Sequence, residues 1–196
     1  MTYANREDWL NAAVEELRPI FQSAGQTLPQ AIRVSCALPS NAKRSGAIGE
    51  CWADTASADQ HYEIFISPVL ADPARVFDVL IHELCHTTKG AMNHGIAFQK
   101  IAAEMLLVPT GTGKKPWGAT GQALGFLPAY QPIIDGLEAY PHAALTVLTR
   151  TKQTTRMLKA VCPSCAYTIR LTAKWAYDAH GDVSLPTCPC GDTFAL

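Results

Sequence analysis

The sequence predicts an α+β fold in which a small antiparallel or mixed sheet packs on helices. Three observations carry this reading. Three short segments rich in β-formers lie between residues 31 and 67, and a strongly apolar stretch of helical period follows at once. Near the carboxyl end the apolar pattern gives way to two close cysteine pairs. A Thr-rich stretch, residues 143–155, separates the two regimes and reads as a linker. It divides the chain into a larger domain, 1–149, and a small one, 150–196.

From Asn5 to Ala24, Trp9, Ala13, Leu17 and Ile20 or Phe21 recur every three or four residues, which predicts a helix ended by Gly25 and Pro29. Ala31–Ala37, Ala47–Ala53 and Tyr62–Ser67 read as strands, with polar turns between them. Asp72 is an N-cap candidate, and Pro73 suits the first helical position. Val76, Phe77, Leu80, Ile81 and Leu84 then give the following helix an apolar face, and Gly90 and Asn93 break it. Ile96–Leu107 predicts another helix, with Phe98, Ile101 and Met105 as a core stripe. Residues 108–121, rich in Gly, Thr, Lys and Pro, read as a flexible loop that exposes Lys114, Lys115 and Trp117. Gln122–Tyr140 is weakly helical and interrupted by Pro128 and Pro132. Tyr130, Tyr140 and His142 in this region are candidates for stabilising an oxyanion, although each fits a structural role better.

The chemistry-bearing stretch is His82-Glu83-Leu84-Cys85-His86, with Asn93-His94-Gly95 shortly after. Residues four apart share a helix face, so His82 and His86 can grip one metal ion. Zinc takes neutral imidazole readily, and a catalytic zinc keeps three protein ligands and one open position. Glu83 sits where its carboxylate can take a proton from a water at that position. The break after the helix lets His94 return towards the metal. Glu104 is the competing third ligand, as in sites built from two histidines and a glutamate. It lies ten residues past His94 on one predicted helix, about 80° away around the axis, so the two do not share an ion.

The run H-E-x-x-H, a short loop, then His94-Gly95-x-x-Phe98-x-x-Ile101 resembles the SprT-like zinc metallopeptidases. Gly49-Glu50-Cys51 and Glu63-Ile64-Phe65-Ile66-Ser67 are also similar to segments that precede the active-site helix in that family, and the carboxyl-terminal cysteines are similar to the zinc ribbon of several members. The resemblance covers roughly residues 45–108 and 155–196. It implies His82, His86 and His94 as ligands of a catalytic zinc, Glu83 as the base, and a protein or peptide substrate. In the family, activity is directed at proteins bound or crosslinked to DNA. An edge strand of such peptidases pairs with the peptide backbone, and Tyr62–Ser67 is the candidate here.

Cys162-Pro163-Ser164-Cys165 and Cys188-Pro189-Cys190 supply four thiolates on two tight turns, the donor set of a structural zinc. So small a module lacks the core to fold alone, which makes a metal the expected staple. Seven cysteines, an odd number, argue against a closed disulfide framework. Cys36, Cys51 and Cys85 read as small buried apolar residues.

An apolar content of 48% with 17% charged residues excludes a disordered chain. No apolar run is long enough to span a bilayer, and Met1–Asp8 has no apolar signal region, so the expected location is cytoplasmic and no membrane partner is expected. The net charge of −1 conceals −4 up to Thr149 and +3 from Arg150 onward. Arg156, Lys159, Arg170 and Lys174, with Arg150 and Lys152, form a basic stretch that suits phosphates such as those of DNA, or an ordinary solvated face. The expected function is thus zinc-dependent endopeptidase. The alternatives are a non-catalytic nucleic-acid-binding zinc protein and a zinc hydrolase of a non-peptide amide.

Overall fold

The structure is a computed structural model that describes residues 3–146 and 157–196. Two compact units make up the chain, Met1–Val147 and Leu148–Leu196. The division expected at 149/150, most of the linker, and Arg150, Lys152 and Arg156 lie outside the described residues. Among the described residues, no helix is long and apolar enough to cross a membrane.

The first unit is α+β. Its opening helix α1 (Arg6–Ser23) starts where the Asn5 side chain accepts from the Asp8 amide at 2.8 Å. It buries the stripe Trp9, Ala13, Leu17 and Phe21. Strand β1 (Ile32–Cys36), the short helix α2 (Ala42–Ser45), β2 (Gly49–Trp52) and β3 (Tyr62–Ile66) follow. The sheet is mixed, in the order β1-β3-β2, with β1 parallel and β2 antiparallel to β3. Alternation sorts its two faces. Val34, Ile64 and Ile66 are buried, while Arg33 on the outer face pairs with Asp59 at 2.6 Å and Glu63 at 2.8 Å. Tyr62–Ser67, the expected peptide-pairing edge, is instead the central strand. Both of its edges are used, and β1 and β2 are the edge strands.

Helix α3 (Pro73–His86) runs through the middle of this unit. Asp72 caps it, accepting from the Arg75 amide at 3.0 Å, with Pro73 in the first turn. Every residue from Val76 to His86 is buried, as a helix packed on all sides requires. Packed against it are β2, α4 (Ile96–Glu104), α5 (Phe126–Gly136) and a hairpin of β4 (Leu107–Pro109) with β5 (Thr120–Gln122). The hairpin replaces the expected featureless loop at both ends of 108–121. Arg6 is buried and acts as a clamp: it donates to the carbonyls of Pro68, Pro141 and Ala143, each at 2.9 Å, and ties the exit of the unit to its first helix.

In the second unit β6 (Leu158–Val161) and β7 (Thr168–Leu171) form an antiparallel pair followed by α6 (Ala173–Ala176). Ala195 extends the pair through a bridge to Val161. Its buried residues are few: Ala160, Cys162, Ala176, Cys188 and Phe194.

Candidate metal centre

Helix α3 holds His82 and His86 one turn apart on one face, both buried. The loop after the helix folds back so that His94, just before α4, joins them. One ligand nitrogen from each of the three lies within 4.8 Å of the others. His82 Nε2 and His94 Nε2 are 3.2 Å apart, near the roughly 3.3 Å that two nitrogens on a tetrahedral zinc would show.

The other ring nitrogens are fixed from behind. His82 Nδ1 meets Thr120 Oγ1 at 2.8 Å, and His86 Nδ1 meets the Ala91 carbonyl at 2.9 Å. A carbonyl only accepts, so His86 carries its proton on Nδ1 and turns the Nε2 lone pair towards the cluster. Thr120 permits the same arrangement for His82. Behind the rings, Phe98 stacks on His86 with centroids 4.5 Å apart and meets His82 and His94 edge-on. Sequence reading gave Phe98 only a core role; it is also the apolar floor of the cluster.

Burial pushes His82 down to about 3, with His86, His94 and Arg75 adding to the effect. Burial likewise pushes His86 down to about 4, against an opposing hydrogen bond to Ala91. His94 is lowered by burial and by Lys115. All three are therefore neutral at pH 7, with lone pairs facing one another. That arrangement fits a cation better than it fits empty space.

Glu83 is buried beside them, and burial, with some repulsion from Glu50, pushes it up to about 8. The chain approaches its carboxylate at Gly49 in β2. A Cβ there would overlap Glu83 Oε1 and lie 2.7 Å from Val79 Cγ1. Gly49 is thus part of the site for a reason of space. A cleft of about 560 Å³ opens over these groups. It runs along the edge from Ser45 to Cys51 and is lined on its other side by Arg75, the three histidines, Glu83 and Thr120. Cys51, expected to be a buried apolar residue, is half-buried and lines the cleft.

Other candidates lie elsewhere. Glu104 is exposed at the end of α4 and is not in the histidine group. Tyr130 is buried and donates to the Met105 carbonyl at 3.3 Å. Tyr140 packs edge-on to Trp9 at 5.0 Å, and neither tyrosine nor His142 lines the cleft. Trp117 is only half-buried and meets the Phe98 ring edge-on.

In the second unit, Cys162, Cys165, Cys188 and Cys190 bring their sulfurs within 4.8 Å of one another. The closest pairs, Cys162–Cys190 at 3.4 Å and Cys165–Cys188 at 3.5 Å, are free thiols. Desolvation opposes ionisation of Cys162, yet the backbone N–H groups of Cys165 and Ser164 and the thiol of Cys190 bring it down to about 7. Both clusters could hold a metal ion. Lys159 and Arg170 are exposed and directly opposite one another across β6 and β7, and the Lys174 Nζ lies 5.4 Å from the Trp175 ring centroid.

No family model, curated protein or solved structure matches the chain.

Proposed function

We propose that this protein is a zinc-dependent endopeptidase of the HExxH type, with His82, His86 and His94 as the ligands of a catalytic zinc. The observation that carries the reading is the convergence of three neutral imidazoles, within 4.8 Å, on a cleft that Glu83 also lines. The resemblance to SprT-like metallopeptidases supports the same choice of residues. A zinc held there supplies Lewis acidity to the scissile carbonyl and to water. Glu83 takes the proton of the attacking water and delivers it to the leaving amine. Its raised pKa leaves it a strong enough base once a cation beside it favours the carboxylate. The free edge of β2 pairs with the backbone of an extended substrate, and Gly49 lets that edge lie close to the base. The four cysteines hold a second, structural zinc.

The second unit favours substrates associated with DNA. Like charges directly opposite one another in a ladder repel. The Lys159–Arg170 pair is relieved by a polyanion lying across it.

Glu83→Gln tests the mechanism. We expect unchanged zinc content and a loss of peptide hydrolysis of roughly a thousandfold. Turnover that survives the substitution removes Glu83 from the chemistry. Cleavage of small amides but not of peptides would favour the non-peptide hydrolase instead.

A further inference from the structure

Arg75 lines the same cleft as the histidines and keeps 36% of its side chain exposed. It lies seven residues before His82 on α3, about 10 Å along the axis. Its guanidinium is anchored at one nitrogen. Nη1 donates to buried Asp78 at 2.6 Å and to the Thr120 carbonyl at 3.2 Å, and Gln122 holds the other Asp78 oxygen at 2.8 Å. Among the described residues, the Nε and Nη2 groups have no partner. Those two form the side-on fork that matches a carboxylate with two parallel hydrogen bonds. Of the acidic groups that line the cleft, Glu50 is already bound by the amide and hydroxyl of Ser40 and Glu83 belongs to the metal centre. Nothing on the cleft wall is thus left to occupy the fork.

We infer that Arg75 is a specificity-determining residue that binds a substrate carboxylate two to four residues from the bond to be cut. An extended chain rises about 3.3 Å per residue, so the 10 Å between these backbone positions on α3 corresponds to about three residues, and the reach of the Arg75 side chain to Thr120, beside His82, sets the lower end of the range. The inference rests on the peptidase reading for the location of the bond, but the fork binds a carboxylate whether or not hydrolysis occurs. An acidic side chain and a free chain terminus offer the same group. A rigid anchor lowers the ordering cost of binding, and this is why Asp78 and Gln122, remote from any ligand, matter to the site.

The test uses zinc-loaded full-length Glu83→Gln protein and nonapeptides blocked at both ends, with a single Glu or Gln moved along the peptide. A third arm has a neutral peptide with a free carboxyl terminus. We expect Glu to bind about tenfold more tightly than Gln at one of the positions two to four residues from the centre, or the free terminus to show the same gain. In Arg75→Met the ratio falls to about one. Arg75→Lys, which keeps the charge without the fork, retains part of it and serves as the milder change should Arg75→Met disturb folding. Absence of both a Glu preference and a free-terminus gain, or a preference that persists in Arg75→Met, overturns the inference. Peptide hydrolysis without carboxylate preference sinks this site and leaves the peptidase standing. Arg75-dependent carboxylate binding in a protein that cleaves no peptide does the reverse.

Discussion

Around the three histidines, the first unit has a continuous apolar core that runs from Trp9 in α1 to Tyr140. Around the four cysteines, the second has Ala160 and Phe194 as its other buried cluster members, with Ile169, Leu171 and Leu185 half-buried against them. Two His of the first cluster ride on a helix whose position is fixed by burial of Phe77, Leu80, Ile81 and Leu84. The cysteines sit on turns that little else holds. In the first unit the fold brings the candidate ligands together; in the second a metal bound to the four thiols would be what holds the fold together.

The strongest way to break this contrast is to remove a cysteine. If the four thiols hold a structural zinc, as proposed, Cys188→Ser in the full chain should cost the second unit its structure, since such a zinc contributes on the order of 10–16 kcal/mol. Amide exchange would show residues 157–196 unprotected and the first unit unchanged; a second unit that stays protected refutes the division of labour. Core deletion is the converse. Phe77→Ala should cost the first unit about 3–5 kcal/mol in a urea titration under chelation. His94→Ala should cost less than about 1 kcal/mol there, because His94 is half-buried on a loop. Equal losses would mean that the cluster holds the fold after all.

Smaller effects sharpen the picture. Thr120→Val removes the partner of His82 Nδ1 and should weaken zinc binding by about 10–100-fold with the fold intact, measured by competition with a chromogenic chelator. The smallest is a pH profile of the metal-free first unit. Unfolded, His82 and His86 titrate near 6.5; folded, they stay neutral down to about 3 and 4. From pH 6.5 to 4.5 the unfolded chain therefore gains two protons that the folded chain does not. Glu83, at about 8 folded and 4.5 unfolded, contributes one proton in the opposite sense. Stability should fall on acidification by roughly 1.4 kcal/mol per pH unit, with lowered His94 adding to the loss. Above 6.5 only Glu83 acts, and stability declines towards pH 8. Thermal unfolding of chelated protein should thus show an optimum near pH 6.5, and a profile rising steadily to pH 8 would contradict these burial effects.

Much of this architecture is legible in the residues, and the exceptions are instructive. The start of α3 is written in Asp72 and Pro73, because capping is local chemistry, and its apolar period is legible because Phe77, Leu80, Ile81 and Leu84 are all fully buried. Strands β4 and β5 have three residues each, too short for alternation to register. With them went Thr120, whose role behind His82 is a tertiary contact across 38 residues with no local signature. The order of strands in the sheet is equally non-local, which is why the central strand β3 looks like any edge in sequence, while the edge that borders the cleft is β2. Tyr130 and Tyr140 offered hydroxyls on paper, but their rings were needed to fill the core.

On the peptidase proposal, Gly49 has a consequence for anyone seeking inactive forms of this protein. A single added methyl at that residue competes for the room the Glu83 carboxylate occupies, although the change lies more than thirty positions upstream of the histidine motif. A screen for loss-of-function alleles confined to residues 82–94 would overlook it. An Ala at position 49 ought to behave as a silent saboteur, with metal aboard and the proton carrier pushed aside.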